Sequence, residues 1–305
     1  MQQLNVVDLF CGCGGLSCGF QKAGFSISGS FDNWDPALSV YKDNLTDCAE
    51  NLDLSNLEET FKKLDSLFEA NKITGIIGGP PCQDFSSAGK RVEADRADLT
   101  EKYADIVCRY RPSFFLMENV PRAQKANAFR RAINQLEQEG YKIIEQVLDA
   151  SLCGVPQRRK RLITVGFLSS SAKPEEFRNL LLAGLSSNPT TLRDYFGDSL
   201  GTEYIYRHPR SYARRAIFSI DEPYPTVRGV NRPVAPGYPG HPGDPAPASE
   251  SRSLTTEERA RVQTFEGWKW DGAKTDREQM IGNAVPVKLA EYVAGAIVSY
   301  LNQLD

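Results

Sequence analysis

Residues 4–25 read LNVVDLFCGCGGLSCGFQKAGF. An apolar run ending at Asp8 gives way to a cluster of glycines, Gly12, Gly14 and Gly15, and the residues from Leu16 to Phe25 then carry apolar groups at helical spacing. The stretch reads as strand, tight turn and helix. Glycine in such a turn lets the backbone approach a ligand where a β-carbon would otherwise stand. A dinucleotide-binding loop is the first comparison, but Ser17 occupies the place of the third glycine in G-x-G-x-x-G, which weakens a nicotinamide reading. A ligand without a pyrophosphate needs the open turn and not the phosphate cradle, and S-adenosylmethionine is such a ligand.

Moving outward, SISGSF forms a second strand that ends in FDNWD, and DPALSVYKDNL follows as a helix with Asp35 near its start and Pro36 in its first turn. Asp32 and Asn33 are offered to ribose hydroxyls, and Trp34 offers either a face for an adenine or an ordinary core aromatic. Asp53, in NLDL, is placed to accept from an adenine amino group. Ser55 and Glu58 have capping-box spacing ahead of Leu57, Phe61, Leu64 and Phe68, which share one helical face. Four further β-rich runs, TGIIGG, SFFLMEN, KIIEQVL and RLITVGF, alternate with helical or loop stretches. Such alternation predicts an α/β fold with a mostly parallel sheet covered by helices on both faces, whose ligands collect at the carboxyl ends of the strands.

The texture changes after about Leu168. Residues 190–253 lack helical periodicity and include PVAPGYPGHPGDPAP, which favours extended, polyproline-like chain and reads as a linker or an ordered binding loop. Six arginines and only two acids, Asp221 and Glu222, lie between Arg207 and Arg232. Helix returns at LTTEERARVQTF, with capping-box spacing at Thr255 and Glu258, and again in PVKLAEYVAGAIVSYL, with Pro286 in its first turn and Leu289, Val293, Ile297 and Leu301 on one face.

With 305 residues the chain can bury a full core as one large domain or two unequal ones. Seven cysteines without paired spacing, no signal-type N-terminus and no long apolar run point to a reducing cytosol and away from membrane insertion. A net charge of −3 gives no global attraction to nucleic acid, so any such partner needs a local basic patch. Cys11, Cys13 and Cys18 lack a C-x-x-C pattern, and the chain has only two histidines, so these thiols read as structural and no metal is expected.

Residues 78–90 read GGPPCQDFSSAGK. No helix or central strand contains Gly-Gly-Pro-Pro, so Cys82 sits on a loop beside hydroxyls and a lysine. That setting suits a reactive thiolate as well as a plain surface cysteine.

Taken in order and at these intervals, DLFCGCGG, GGPPCQDFS, MENV, QRRKR and GNAVPV resemble the DNA cytosine-5 methyltransferases of restriction-modification type, from about residue 4 to 301 with 190–253 unmatched. The resemblance implies a Rossmann-like S-adenosylmethionine-dependent methyltransferase sheet, with a catalytic domain over 1–189 and 279–305 and a small, irregular target-recognition domain and hinge over 190–278. It implies Cys82 as nucleophile, Glu118 as the acid at the cytosine N3 edge, and Arg159 and Arg161 as active-site arginines, Arg161 meeting the base carbonyl. The cofactor pocket would take Phe10, Gly12, Cys13, Gly14, Gly15, Asp32, Asn33, Trp34, Asp53, Leu54, Pro81, Asn283, Ala284 and Val285. Asn33 stands where the family usually has a glutamate for the ribose. DNA contacts would come from Gln83, Ser86, Ser87 and Lys90, and from Arg207, Arg210, Arg214, Arg215, Arg228 and Arg232.

Cytosine C5 is a poor nucleophile, so the implied reaction begins with thiolate attack at C6 of a base swung out of the duplex, with Arg161 and a buried Glu118 that is protonated, or shares a proton with N3, meeting the charge that builds on the ring. Expected partners are S-adenosylmethionine, which leaves as S-adenosyl-L-homocysteine, and double-stranded DNA. A monomer in a bacterial or phage-infected cytoplasm, accompanied by a restriction endonuclease of the same target, completes the expectation. A tRNA cytosine-5 methyltransferase is the nearest alternative, although the C-F-T triplet of that branch is missing; a catalytically silent DNA-binding homologue is the other.

Overall fold

The structure is a computed structural model that describes residues 3–81 and 93–304, the side chains of 93–98 excepted. The chain forms two compact units. Unit 1 comprises residues 1–148, 160–184 and 290–305, and unit 2 comprises 149–159 and 185–289.

Unit 1 is built on β1 (Asn5–Leu9), α1 (Gly15–Lys22), β2 (Ser26–Asp32), α2 (Asp35–Asn44), β3 (Ala49–Asn51), α3 (Leu57–Ala70), β4 (Ile73–Gly78), α4 (Glu93–Tyr110), β5 (Phe114–Asn119), α5 (Asn127–Gln138) and β6 (Lys142–Asp149). After a two-residue β7 (Gln157–Arg158) that belongs to unit 2, unit 1 resumes with β8 (Lys160–Phe167) and α6 (Pro174–Ala183). The sheet order is β3-β2-β1-β4-β5-β8-β6. β1 pairs in parallel with both β2 and β4, β4 in parallel with β5, and β8 runs antiparallel to β5. The expected α/β architecture is present. The order reverses at β1, and the crevice at the carboxyl ends of β1 and β4 is where doubly wound sheets take their ligands.

Strands buried on both faces read as continuous apolar runs, and β5 shows why: every one of its residues is buried. Phe115 and Met117 pack with Val7, Leu9, Ile76 and Phe129 in one core cluster. Phe114 instead meets Phe25 at 5.8 Å. The Tyr103 hydroxyl of α4 lies within hydrogen-bond reach of the Ile76 and Leu116 carbonyls, at 3.1 and 2.7 Å, and so ties α4 to β4 and β5.

Unit 2 contains β7, α7 (Leu192–Phe196), β9 (Tyr204–Tyr206), β10 (Ile217–Ser219), β11 (Tyr224–Pro225), β12 (Ser251–Ser253), α8 (Thr256–Val262) and α9 (Lys274–Asn283), and the first residues of α10 (Val287–Leu304). The expected recognition domain, 190–278, lies inside this unit, which also takes in 149–159 and continues to Leu289. Buried side chains explain the wider extent. Gln157 donates to Gln263 Oε1 at 2.6 Å and accepts from Val227 N at 2.8 Å, while Gln263 donates to Ile281 O at 2.6 Å. Those amides fasten 157 to segments far along the chain.

Local capping departs from the sequence reading in one place. The N-cap of α3 is Asn56, which accepts from Glu59 N, because the Ser55 hydroxyl is already donated to Asp53 Oδ1 at 2.7 Å. At α8 the capping box of Thr255 and Glu258 forms as expected. A second box, Thr191 with Asp194, opens the short α7 inside a region with no helical periodicity. By length and composition residues 274–304 suffice to cross a membrane, contrary to the reading of apolar runs. In the fold, Val293, Ala294, Ile297 and Tyr300 of α10 are buried, and Tyr300 meets Phe167 at 4.8 Å and Phe177 at 5.4 Å within unit 1.

The Pro-Gly stretch is organised by one carboxylate. Asp244 accepts from Ala216 N and Ile217 N, both at 3.0 Å, from His241 N at 2.9 Å and from the Tyr238 hydroxyl at 2.6 Å. Burial pushes its pKa up, but the Tyr238 hydroxyl and these three N–H groups pull harder and hold it below the ordinary value. Asp244→Ala leaves four donors without their acceptor, and urea unfolding should show a loss of about 2–3 kcal/mol.

Candidate active site

At the carboxyl end of β1 the backbone turns through left-handed conformations at Phe10 (φ 61°), Gly12 (φ 53°) and Gly14 (φ 96°). A β-carbon at Gly14 would stand 2.6 Å from Leu45 Cδ1 and 2.7 Å from the Tyr41 ring, so only glycine fits. Asp32, the last residue of β2, clamps the turn: its Oδ2 accepts from Gly12 N at 2.9 Å and its Oδ1 from Trp34 N at 3.0 Å. Burial raises the Asp32 pKa, while the Gly12, Trp34 and Asn33 N–H groups pull it down. Asn33 beside it is exposed, and Trp34 is half-buried. A β-carbon at Gly12 would meet nothing within 4 Å, so the space over the turn is open. An open backbone turn, an exposed amide and an indole face suit an adenosine-bearing ligand that has no pyrophosphate.

The other expected pocket residues divide. Gly15 begins α1, and the Cys13 thiol is buried and pushed up to about 12 by that burial, so it stays protonated. Asp53 Oδ1 accepts from Ser55 N and Oγ at 3.0 and 2.7 Å, holding the approach to α3, and Leu54 is buried in the core. Pro81 is half-buried. Asn283, Ala284 and Val285 belong to unit 2, where Asn283 is exposed and Ala284 O accepts from Arg159 and Gln263.

Two residues that the sequence reading passed over sit beneath the turn. Asp8 is fully buried, and Oδ2 accepts from the buried Ser17 hydroxyl at 2.6 Å. Its Oδ1 has no hydrogen-bond partner among the described residues. Burial pushes the Asp8 carboxyl up to about 7; the Ser17 hydrogen bond opposes this, and the charge of Asp32 adds to it. Ser17, the misfit to the glycine fingerprint, thus serves a buried acid. The available signal was an Asp inside an apolar strand with a Ser nine residues on.

The antiparallel register of β5 and β8, with Glu118 opposite Ile163 and Asn119 opposite Leu162, brings Arg161 beside Glu118. Arg161 Nε lies 2.8 Å from Glu118 Oε1 with both side chains largely buried, as an ion pair and not an aligned hydrogen bond. Arg161 Nη1 also donates to Lys160 O at 2.8 Å. Burial lowers the Arg161 pKa, and the carboxylate of Glu118 opposes that fall. On the facing side, Asn119 Nδ2 donates to Pro80 O at 2.9 Å while its Oδ1 accepts from Val120 N at 2.8 Å. A β-carbon at Gly79 would lie 3.4 Å from Glu118 Oε2, and one at Gly78 would lie 2.4 Å from Leu9 O. The Gly-Gly-Pro-Pro strand end therefore runs directly past the carboxyl of Glu118 and against the end of β1. Cys82, Gln83, Ser86, Ser87 and Lys90 lie outside the described residues.

Arg159 sits in unit 2, almost wholly buried, and donates to Val227 O at 3.2 Å and to Gly282 O and Ala284 O, both at 3.0 Å. Of the expected DNA-contacting arginines, Arg207, Arg210, Arg228 and Arg232 line one cavity of about 500 Å3 in unit 2. Arg215 forms an ion pair with Glu222 and lies 4.3 Å from the centre of the Phe218 ring; Arg214 is exposed away from the cavity. Among the described residues no three His, Cys, Asp or Glu groups come together in a way that could hold a metal.

The family described as C-5 cytosine-specific DNA methylase matches residues 4–299. Type II methyltransferase M.HgiDI of Herpetosiphon aurantiacus is 49% identical over 302 residues, covering 98% of this chain and 96% of that protein. Type II methyltransferase M.HindV of Haemophilus influenzae is 49% identical over 305 residues, covering 97% of each. Among solved structures, the S. pombe Dnmt2 methyltransferase superposes with a TM-score of 0.72 at 18% identity, covering 99% of this chain and all of that one. The likeness to that structure is one of fold.

Asp8 makes a test of the buried cluster. Its folded carboxyl titrates near 7 against an ordinary 3.8, so between these values the folded chain holds a proton that the unfolded chain has released. Its contribution is complete below the lower value and disappears as pH rises through the upper one. Urea unfolding of wild type should lose roughly 2 kcal/mol between pH 5 and pH 7 that Asp8→Asn does not lose.

Proposed function

Because the chain belongs to the family of C-5 cytosine-specific DNA methylases, we propose that it methylates C5 of a flipped-out cytosine in a specific double-stranded DNA sequence through a covalent bond between Cys82 and C6. The observation that supports this most is the buried Glu118–Arg161 pair beside Gly79, Pro80 and Pro81, the residues that lead straight into Cys82. The relatives bear the name Type II methyltransferase. We take it to act as a monomer in the cytoplasm, as the modification enzyme of a restriction-modification pair.

S-adenosylmethionine, when bound, supplies an electrophilic methyl group and leaves as S-adenosyl-L-homocysteine. Gly12, Gly14 and the Phe10 backbone form the open cradle that would receive it, Asn33 would hold the ribose hydroxyls, and Trp34 would face the adenine. Asp32 has both oxygens engaged by backbone N–H groups, so its part is to fix the turn.

The residues of this chain then act on the base. The Cys82 thiolate forms the S–C6 bond, and the electron pair displaced from the C5=C6 bond makes C5 nucleophilic while charge spreads toward N3 and O2. Glu118 shares a proton with N3 as the charge builds, and Arg161 offers its cation to O2. Pairing of the two in a water-poor site strengthens both contacts and fixes their spacing before the base arrives. Once C5 carries the methyl group, loss of the C5 proton returns its electron pair to the ring and expels the Cys82 thiolate. Because C6 is inaccessible in a stacked duplex, the base must leave the helix first.

Cys82→Ser should abolish methyl transfer while S-adenosylmethionine binding, read by calorimetry, stays within about twofold of wild type. A duplex bearing 5-fluorocytosine at the target should become covalently attached to wild type only, because the fluorine at C5 blocks the final elimination. Methyl label that enters tRNA and not duplex DNA would overturn the choice of substrate.

A further inference from the structure

The arginine-lined cavity of unit 2 is made of two segments, RHPR (207–210) and RGVNR (228–232), that tie one another together. Arg207 Nη2 donates to Thr226 O at 2.8 Å, just before the second segment, and Arg228 Nη2 donates back to His208 O in the first. Arg259 Nη2 donates to Arg228 O, and Gly282 presses on the same backbone so closely that a β-carbon there would lie 2.3 Å from Gly229 N. Asn231 Nδ2 donates to Leu254 O at 2.8 Å. The walls are therefore held by reciprocal bonds to backbone carbonyls, each engaging one nitrogen of Arg207 or Arg228.

Arg210 and Arg232 differ. Both are exposed at the rim, and neither guanidinium has a hydrogen-bond or ion-pair partner among the described residues. No carboxylate enters the cavity wall, and the concentration of positive charge is felt: Arg207 is lowered to about 10 by burial and then by Arg228 and other arginines, and His208 is lowered by burial and then by Arg232 and Arg228. Val230, between Arg228 and Arg232, is 61% exposed, the most exposed of the large hydrophobic residues described. Every cation in 207–232 apart from its one histidine is an arginine and none is a lysine.

We propose that Arg210 and Arg232 are specificity-determining residues that read guanine in the target duplex, with Val230 packed on the C5 edge of a neighbouring pyrimidine. The proposal rests on the reading of the protein as a DNA methyltransferase. A guanidinium is a planar fork with donors only, and guanine alone presents two acceptors, O6 and N7, side by side in the major groove; adenine and cytosine present amino donors that would oppose it. A clamp for phosphate has no use for an exposed valine, whereas a base-reading surface does, since C5 of thymine carries a methyl group in the same groove. A fixed floor beneath two unpaired rim arginines is the arrangement that holds forks in register with base edges.

The test compares wild type with Arg210→Ala, Arg232→Ala, Arg232→Lys and Val230→Ala on a pool of duplexes randomised around the target cytosine, with methylated molecules counted by bisulfite sequencing. Each alanine variant of arginine should lose about 10- to 100-fold of the preference for guanine at one position and keep its other preferences. Arg232→Lys keeps the charge and lacks the fork, so it should keep the salt dependence of DNA binding and still lose the preference. Val230→Ala should lessen discrimination at a pyrimidine next to that guanine. A uniform loss across all sequences, with the salt slope reduced by about one, would make these arginines phosphate contacts and overturn the proposal. So would unchanged preferences in variants that bind S-adenosylmethionine normally. A wild-type protein that methylates no duplex at all would instead overturn the functional reading beneath it.

Discussion

Asn119 is the residue on which the geometry of the candidate site depends. Its amide donates to Pro80 O and accepts from Val120 N, so one buried side chain joins the strand end that leads to Cys82 to the strand end that carries Glu118. Without that bond the buried Pro80 carbonyl would lose its donor, and the chain beyond Gly78, where the β4–β5 ladder ends, would lose this tie to β5. Burial of Glu118 acquires its meaning from this arrangement. The acid faces Arg161 on one side and the backbone of Gly79 on the other, with little room for water.

The cofactor side obeys a similar logic. Its turn is held at Gly12 and Trp34 by Asp32 from the neighbouring strand, while Asp8 of β1 accepts from Ser17 in the first turn of α1. One acid takes backbone N–H bonds at both oxygens; the other has a single hydroxyl donor, and burial pushes it up to about 7. Burial raises both carboxyls, and the rise is opposed by backbone N–H groups at Asp32 and by the Ser17 hydroxyl at Asp8.

Much of the frame was legible in the sequence. Strand, turn and helix from Leu4 to Phe25, the two-sided burial of SFFLMEN and the Thr255 cap follow from periodicity and local chemistry, which need only neighbours along the chain. Glu118 and Arg161 were named through the family likeness, and their meeting depends on the antiparallel register of β8. Periodicity could not reveal Asn119, which acts through a contact made only when β4 and β5 have paired, nor the pairing of Asp8 with Ser17, which is made across the turn between β1 and α1. Arg159 illustrates the same limit: two residues from Arg161 in sequence, it belongs to another unit and bonds to carbonyls at 227, 282 and 284. The short α7 and the Asp244 hub escaped notice because a capping box of one turn and a single acid among prolines leave no periodic trace.

Unit 1 is discontinuous, with residues 290–305 joining it only after unit 2 has been passed. Ribosomal synthesis runs in one direction, so the aromatic layer of Phe167 and Phe177 emerges well before Tyr300 arrives to cover it. The larger unit therefore cannot finish folding once residue 184 has appeared; it must wait, apolar surface bared, while the rest of the smaller one is made. A nascent chain stalled within unit 2 consequently lacks both the end of that unit and the segment that completes unit 1.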